Sequence, residues 1–257
     1  MTSPFAGKPE STWLSITRQL VNTHPLKYTE LLDATTTAWA TLWQTTVGSG
    51  SLSVKLSDLK VPATIVGYFF EVLLARELER RDPTLWRGNL SKEDKDLVYI
   101  PDPAYSVEIK TSGQAGFKVF GNRSYGQKPS ADRTQKKEKS GYYITVNFFN
   151  QTLTLMRFGW IDASDWDPQE SPSGQMAGLK KSVYDNKLIA IAVTYRQHAP
   201  VLLLKGVGPS AADQLAQLGI TTVGDLLRYE KELPGRLSRI KQKNESFLHE
   251  CTDMPLH

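Results

Sequence analysis

The chain has 257 residues, enough for one sizeable core with a small additional domain, and its net charge of +4 with a pI near 9.0 is mildly basic. With 40% hydrophobic and 23% charged residues, the composition is that of an ordinary folded protein. The single cysteine, Cys251, excludes an internal disulfide framework and a cysteine-rich zinc site. No apolar run is long enough to cross a bilayer, and residues 1–10 do not resemble a signal peptide, so we expect a cytoplasmic protein without a membrane partner.

Secondary structure follows, in chain order, from the spacing of the apolar residues. Residues 11–47 show helical spacing, and a second helical stretch is expected from about 62 to 80, with Pro62 in its first turn. Five strand candidates come next, at residues 95–101, 105–111, 141–149, 152–160 and 187–196. Helices, then a hairpin, then further strands predict an α/β fold with a mixed β-sheet flanked by helices.

The two strand candidates around the turn at residues 102–104 are expected to form a hairpin centred near Pro103. Opposed residue numbers then sum to 206, and the facing pairs are Asp96 with Lys110 and Val98 with Glu108. Since side chains alternate along a strand, Asp96, Glu108 and Lys110 share one face of this hairpin.

The more conspicuous acid of this region is Asp102, which follows a proline in the stretch PDPAYSVEIKTSG. It lies at the turn, roughly 13 Å from Glu108 at the usual rise of a strand, which is too far for the two to share a metal ion. A turn is itself a sufficient reason for an aspartate at this position. We therefore predict that Asp96, and not Asp102, belongs with Glu108 and Lys110.

Two carboxylates at short range repel each other and bind a hard cation such as Mg²⁺. A metal ion there polarises a phosphodiester oxygen and activates a water molecule, and a neighbouring lysine orients or deprotonates that water. A cross-strand salt bridge on a solvated hairpin would use the same residue types. The apolar residues Val98, Val107 and Ile109 favour a half-buried strand instead.

Glu71 supports the metal site, because it lies within the otherwise apolar stretch IVGYFFEVLLA. An unpaired carboxylate buried there would cost several kcal/mol, on the order of the usual penalty for a buried charge, and a nearby cation would offset it. Gly67, one turn earlier, allows the helix to pack closely against a sheet. A glutamate at the edge of an imperfectly buried helix is the alternative.

A helix carrying Glu71, then Asp96, then Glu108-Ile-Lys110 on a hairpin resembles the PD-(D/E)XK nuclease superfamily and, within it, the type II restriction endonucleases. The TSG after the lysine and FGNRSYG at 120–126 resemble the ScaI-like group of these enzymes. The resemblance covers about residues 60–196. It implies that Glu71, Asp96 and Glu108 hold Mg²⁺ and that Lys110 serves the attacking water. The chain departs from the family pattern in one respect: Lys95-Asp96, and not Pro101-Asp102, takes the position of the motif's Pro-Asp.

The stretch after this lysine, residues 112–139, is strongly basic. It carries seven lysines and arginines against Asp132 and Glu138, and this net of +5 exceeds the +4 of the whole chain. Such a stripe suits a phosphate backbone, although a solvated basic loop has the same composition. By the resemblance, the segment meets DNA, with candidate contacts to phosphates or bases at Lys118, Asn122, Arg123, Gln127 and Lys128.

Residues 199–257 are expected to form a small all-helical domain, separate from a catalytic domain of residues 1–198. Its stretch LKGVGPSAADQL, residues 204–215, matches the helix-hairpin-helix pattern Leu-x-Gly-hydrophobic-Gly-x-x-x-Ala-x-x-Leu. In that motif two glycines permit the tight hairpin, and backbone N–H groups hold a DNA phosphate. The candidate contacts are Lys205, Gly206, Gly208 and Ser210. A helical packing or dimerisation unit is the alternative.

Together these observations predict a Mg²⁺-dependent endonuclease that cleaves double-stranded DNA at a specific site. By family analogy it would be a prokaryotic homodimer accompanied by a cognate DNA methyltransferase. A structure-selective DNA repair nuclease also combines a nuclease core with a helix-hairpin-helix, but such enzymes carry Glu-Arg-Lys and an aspartate four residues later, where this chain has Gln114. A non-catalytic DNA-binding protein is the third possibility.

Overall fold

The computed structural model describes residues 2–114, 116–122, 139–168, 176–191 and 194–251. The chain divides into two compact units. The first comprises Met1–Ser112, Lys118–Val146 and Arg157–Ile189, and the second comprises Gly113–Phe117, Asn147–Met156 and Ala190–His257. Two stretches from the middle of the chain therefore belong to the same unit as the C-terminal helices, and a boundary after residue 198 stays a prediction.

Three long helices open the first unit: α1 (Trp13–Thr23), α2 (Tyr28–Gln44) and α3 (Ala63–Arg81). The helices predicted within residues 11–47 and 62–80 are thus confirmed, with Pro62 at the residue before α3. Every fourth residue of α3 from Val66 to Leu78 is buried, which fastens one stripe of this helix into the core. Arg80 and Arg81 in the last turn complement the helix dipole.

The central sheet has six strands and is flanked by helices, so the predicted α/β class is confirmed. In chain order the strands are β1 (Thr46–Val47), β2 (Val54–Lys55), β3 (Trp86–Gly88), β4 (Leu97–Tyr99), β5 (Val107–Gly113), β6 (Phe120–Asn122), β7 (Gly141–Phe149), β8 (Thr152–Ile161), β9 (Trp166–Pro168), β10 (Met176–Leu179) and β11 (Leu188–Ala190). The central sheet has the order β11-β8-β7-β5-β4-β3, while β6-β10-β9 and β1-β2 form two smaller sheets.

Two details of the predicted strands are wrong. The strand expected at 187–196 ends at Ala190, and Thr194–His198 forms a 3-10 turn. The hairpin register also differs, because Leu97 pairs with Val107, so opposed numbers sum to 204 and not 206. The physical reason is the connection, where Pro103–Tyr105 forms a 3-10 turn that a tight hairpin lacks. Since the shift is even, no side chain changes its face.

A buried histidine organises the aromatic part of the first unit. The His24 ring is fully buried and lies 4.3–6.4 Å, between ring centroids, from Trp86, Tyr105, Tyr142 and Phe158. Its Nδ1 accepts the N–H of Leu26, which leaves Nε2 to donate to the Tyr105 carbonyl oxygen. Burial is the main cause that lowers the pKa of His24 to about 4, so the ring is neutral at physiological pH.

The second unit contains α5 (Pro209–Gln217), α6 (Val223–Arg228), α7 (Gly235–Lys243) and α8 (Glu245–Glu250), whereas α4 (Lys181–Asn186) belongs to the first. The helices of the second unit share a continuous apolar core. The guanidinium of Arg196 lies over the rings of Phe117 and Phe247, at 5.2 and 4.5 Å, and donates to the Thr154 carbonyl oxygen at 3.1 Å. This arginine therefore connects all three chain stretches of the unit.

No helix among the described residues is long and apolar enough to span a membrane.

Candidate active site

Strands β4 and β5 are antiparallel, and Leu97 pairs with Val107. This register places Asp96, the residue before Leu97, opposite Glu108. Asp96 Oδ2 accepts the backbone N–H of Ile109 at 2.8 Å, which fixes the aspartate against the neighbouring strand. Glu108 is buried and Asp96 is half-buried. The prediction that Asp96 faces Lys110 is wrong in register, but both carboxylates lie on one face, as predicted.

Lys110 lies between the two acids. Its Nζ donates to Glu108 Oε1 at 2.7 Å and to the Ile109 carbonyl oxygen at 3.1 Å, and it is 4.0 Å from Asp96 Oδ2. Burial acts to lower the pKa of Lys110, but the negative charges of Glu108, Asp96 and Glu71 outweigh burial and raise it. We refer to Asp96, Glu108 and Lys110 as the hairpin cluster.

Glu71 approaches the hairpin cluster from α3. The helix can come this close because Gly67 faces Thr111 of β5: a Cβ atom on Gly67 would stand 2.1 Å from Thr111 Oγ1. The predicted close packing at this glycine is confirmed. Glu71 itself is half-buried, and its charge acts on Lys110. The sheet and the helix thus direct three carboxylates and one ammonium group to the same region.

A groove of about 280 Å³ adjoins this region, and its walls carry Glu71 and Asp96. One wall is α3, with Tyr68, Val72 and Arg76, and the other is the stretch from Arg87 to Leu90. The sequence interpretation did not single out these groove residues. The sequence offers only a weak indication for Tyr68: it precedes Glu71 by three residues and so lies on nearly the same side of the helix.

The acids fit a magnesium ion by their chemistry, since Mg²⁺ prefers carboxylate oxygens and is usually held by one or two of them, with water and substrate phosphates as the other ligands. Within the described parts of the chain, no group of three His, Cys, Asp or Glu side chains is arranged to hold a metal ion. Asp96 and Glu108 each have a carboxylate oxygen within 4.0 Å of Lys110 Nζ, and the charge of Glu71 acts on the same lysine.

Asp102 lies in the connection between the strands and is exposed. It caps the 3-10 turn there, where its Oδ1 accepts the Ala104 N–H at 2.9 Å. This local hydrogen bond is a turn function, as predicted for Asp102.

Of the predicted DNA contacts near β6, Lys118 and Asn122 are exposed, while Arg123, Gln127 and Lys128 lie outside the described residues. In the second unit, Gly206 has φ +90° and Val207 is buried next to it, in the hairpin that leads into α5. Lys205 and Ser210 are exposed on either side of this hairpin, and Gly208 is the residue before α5. These positions suit the predicted helix-hairpin-helix, whose DNA contacts stay a prediction.

A second group of two carboxylates and a lysine was missed by the sequence interpretation. Lys187 Nζ is 2.8 Å from both Asp162 Oδ2 and Asp165 Oδ2, and it lies 4.5 Å from the centroids of the Phe5 and Trp13 rings. We refer to Asp162, Asp165 and Lys187 as the Lys187 cluster. Since Lys187 lies 25 and 22 residues from the two acids and follows no motif with them, no local pattern predicts the cluster.

Known proteins similar to this chain point to one family. The family model of the ScaI restriction endonuclease matches residues 3–192. Type II restriction enzyme ScaI of Streptomyces caespitosus is 35% identical over 198 residues, which cover 74% of this chain and 84% of that protein. A solved restriction endonuclease in complex with substrate DNA aligns with a TM-score of 0.37 and 11% identity, over 79% of this chain and 97% of its own. On the family match and the identity with ScaI, this chain belongs to the ScaI restriction endonuclease family.

Proposed function

We propose that this protein is a type II restriction endonuclease that uses Mg²⁺ to hydrolyse phosphodiester bonds of double-stranded DNA at a specific site. The observation that carries the proposal is the hairpin cluster, in which Asp96 and Glu108 stand level on paired strands and Lys110 reaches both. Family membership supports DNA as the substrate. The same membership favours restriction over the repair and non-catalytic alternatives.

In this proposal Asp96 and Glu108 hold the ion, and Glu71 adds negative charge from α3. Bound Mg²⁺ supplies a Lewis acid that polarises the scissile phosphate and makes water more acidic. The Ile109 N–H bond to Asp96 and the Lys110 bond to Glu108 fix both carboxylates before substrate arrives. Preorganisation of this kind avoids the cost of ordering the groups during the reaction.

Lys110 has a second task in this proposal. Its ammonium group donates to Glu108 and to the Ile109 carbonyl oxygen, which holds it beside the acids. A donor beside the acids can orient the attacking water and offset the charge that develops on the phosphate.

Digestion of plasmid DNA with Mg²⁺, and in parallel with EDTA, tests the proposal. We expect discrete, reproducible fragments with Mg²⁺ and intact plasmid with EDTA. The Glu108→Gln variant, which keeps the shape of the side chain but not its charge, should leave the plasmid intact in both. A smear of fragments, cutting only of branched DNA, or full activity in EDTA would contradict the proposal.

We also propose that the second unit grips the DNA backbone without reading sequence. The positive φ of Gly206 and the buried Val207 form a tight hairpin before α5, and Lys205 and Ser210 are exposed beside it. Backbone N–H groups at the start of α5 are suited to a phosphate. In the Lys205→Glu variant, affinity should fall equally for specific and random DNA, with a shallower salt dependence. Lys231→Glu, an exposed lysine outside this hairpin, is the control.

A homodimer with two active sites would cut both strands of a palindromic site, and a methyltransferase of the same specificity would protect the host DNA. Light scattering of the purified protein, with and without a duplex that contains the site, tests the dimer. Methylation of the mapped site in host DNA tests the methyltransferase.

A further inference from the structure

The groove next to the hairpin cluster has an unusual lining. Its interior carries the carboxylates of Glu71 and Asp96, yet each of its two rims carries a large apolar or aromatic side chain that is open to solvent. Tyr68 of α3 is 62% exposed on one rim, and Leu90 is 84% exposed on the other. Singly exposed apolar side chains are ordinary on a protein surface, but Tyr68, Val72 and Leu90 are all exposed and all line this one groove.

The Leu90 rim is held in place by specific bonds. Asp94 Oδ2 accepts the Leu90 N–H at 3.0 Å and the Arg87 Nη1 at 2.8 Å, and the same Arg87 nitrogen donates to the Gly88 carbonyl oxygen at 2.8 Å. The loop from Arg87 to Asp94 is therefore a closed hydrogen-bonded unit. An exposed leucine on a fixed loop is available for contact without a large ordering cost.

The groups that line the groove and its volume bear on its occupant. Arg76 on the α3 wall is paired with Glu79 at 3.1 Å, and Arg87 on the facing wall is paired with Asp94 at 2.8 Å, while Glu71, Glu79 and Asp96 line the groove. An anionic occupant would therefore bind together with the proposed Mg²⁺, which offsets these acids. A volume of about 280 Å³ is at the lower limit of roughly 300 Å³ for small-molecule sites, which suits one nucleotide unit and not a duplex. One nucleotide combines an anionic phosphate with an apolar sugar and base face.

Resting on the proposed nuclease function, we propose that this groove receives the nucleotide next to the scissile phosphate, with Tyr68 and Leu90 packed on its base and sugar. The scissile phosphate meets the carboxylate end of the groove, where the proposed Mg²⁺ would be held. Tyr68 and Leu90 are then substrate contacts that set the position of the strand at the hairpin cluster.

The test uses the full chain in a Glu108→Gln background, which keeps bound DNA uncut, and a duplex that contains the cut site mapped with the wild-type enzyme. Dissociation constants are compared for Tyr68→Ala and Leu90→Ala. The matched controls are Ile65→Ala, 44% exposed on the same helix, and Leu52→Ala, 81% exposed, neither of which lines the groove. We expect at least about fivefold weaker binding for the two groove variants and less than about twofold for the controls.

A second duplex, abasic at one nucleotide beside the cut, makes the contact itself measurable. The penalty of Tyr68→Ala should vanish when the base that it touches is missing, on one side of the cut but not on the other. Equal penalties on intact and both abasic duplexes, or a Leu90→Ala effect no larger than that of Leu52→Ala, would overturn the proposal.

Light scattering tests the alternative occupant of the groove, which is a second copy of the chain. If Tyr68→Ala or Leu90→Ala lowers the molecular mass of the free protein, these rims belong to an interface between copies of the chain, and the nucleotide proposal is wrong. Failure of the wild-type enzyme to give discrete plasmid fragments would instead reject the proposed nuclease function, before any groove variant is compared.

Discussion

The first unit contains two groups of the same composition, two carboxylates and one lysine, which differ in how the protein uses them. In the Lys187 cluster, Asp162 also accepts bonds from Ser3 and from the Trp160 indole, at 2.8 and 2.9 Å, and Asp165 accepts the Asp162 N–H. Lys187 itself is enclosed by aromatic rings. The groups that donate to Asp162 and Asp165 are all side chains or backbone groups of the protein itself. We therefore expect this cluster to stabilise the fold.

In the hairpin cluster the acids lie on adjacent strands, and Asp96 shares the walls of a groove with Glu71. Burial is the main cause that raises the pKa of Asp165, opposed by its bonds to Lys187 and the Asp162 N–H, whereas charge from three acids raises that of Lys110 against burial. The same residue types thus stabilise the fold in one place and create a region of concentrated negative charge in the other. What distinguishes them is the set of groups that hold the acids: Asp162 accepts bonds from Ser3, Trp160 and Lys187, and composition does not reveal such partners.

The largest expected effect separates activity from stability at the hairpin cluster. Asp96→Ala should lower the cleavage rate at least about 10⁴-fold, on the order of 5 kcal/mol in activation free energy, because the proposed mechanism then loses an ion ligand. The free energy of unfolding should fall by only about 1–2 kcal/mol, for the lost acceptor of the Ile109 N–H. Plasmid digestion and urea denaturation measure the two quantities.

Asp102→Ala is the matched control for this prediction. It removes a carboxylate that caps a turn, so we expect about 1 kcal/mol of lost stability and nearly unchanged cleavage. If Asp102→Ala abolished cleavage and Asp96→Ala did not, the assignment of the catalytic acid would be reversed.

The opposite result is expected at the Lys187 cluster. Lys187→Met leaves Asp162 and Asp165 buried without their counter-charge, which should cost about 3–5 kcal/mol in the free energy of unfolding. Cleavage per folded molecule should stay within about twofold of the wild type at low temperature. Lys180→Met, in an exposed pair with Asp167 at 3.8 Å, serves as the control and should change stability little.

His24 extends the comparison to a buried group that has hydrogen bonds but no counter-charge. Its pKa is near 4 in the folded protein and about 6.5 in the unfolded chain, so the unfolded state takes up a proton first as the pH falls. Stability from this residue is intact above pH 6.5 and is lost between pH 6.5 and 4, by roughly 1 kcal/mol at pH 5.5 and roughly 3 kcal/mol at pH 4.

Urea denaturation at pH 7.5 and 5.5 measures this loss, and His24→Gln should flatten the dependence over that interval. The exposed His198, replaced in the same way, is the control. An unchanged pH dependence in His24→Gln would show that other groups are responsible.

A further effect on activity is expected from the position of Glu71 relative to the hairpin cluster. Gly67→Ala places a Cβ atom against Thr111 Oγ1, so α3 or Thr111 must shift. A displacement of Glu71 of about 1 Å should lower kcat by roughly 10- to 100-fold. The double variant Gly67→Ala/Thr111→Ala removes the clash and should regain most of the activity. A loss that persists in the double variant would mean that the spacing of α3 and β5 is not what matters.

Much of this site could be predicted from the sequence, because local patterns specify it. Alternation along β5 places Glu108 and Lys110 on one face, and the apolar surroundings of Glu71 mark an acid directed at the sheet. The residue opposite Glu108 on the neighbouring strand was harder to predict. The strand register depends on the 3-10 turn at Pro103–Tyr105, which the residue types there do not determine. An even error in register preserved the face and therefore the residues of the cluster.

What the sequence did not reveal depends on contacts between distant residues. Lys187 lies in the turn between α4 and β11, and no neighbouring residue in the sequence indicates its contacts with Asp162 or with the rings of Phe5 and Trp13. His24 likewise is neutral because of residues 60 or more positions away, among them Trp86 and Tyr142. Burial by non-local packing, and the pKa shifts that it causes, follow only from the folded chain.

The bridge formed by Arg196 has a consequence for engineering. Its guanidinium rests on Phe117 and Phe247 and bonds to Thr154, so residues from three parts of the chain share one contact. A chain cut after residue 198 would leave Phe117 and Arg196 without Phe247. The C-terminal helices are thus not a detachable cassette, and exchanging them between relatives requires the matching residues in the middle of the chain.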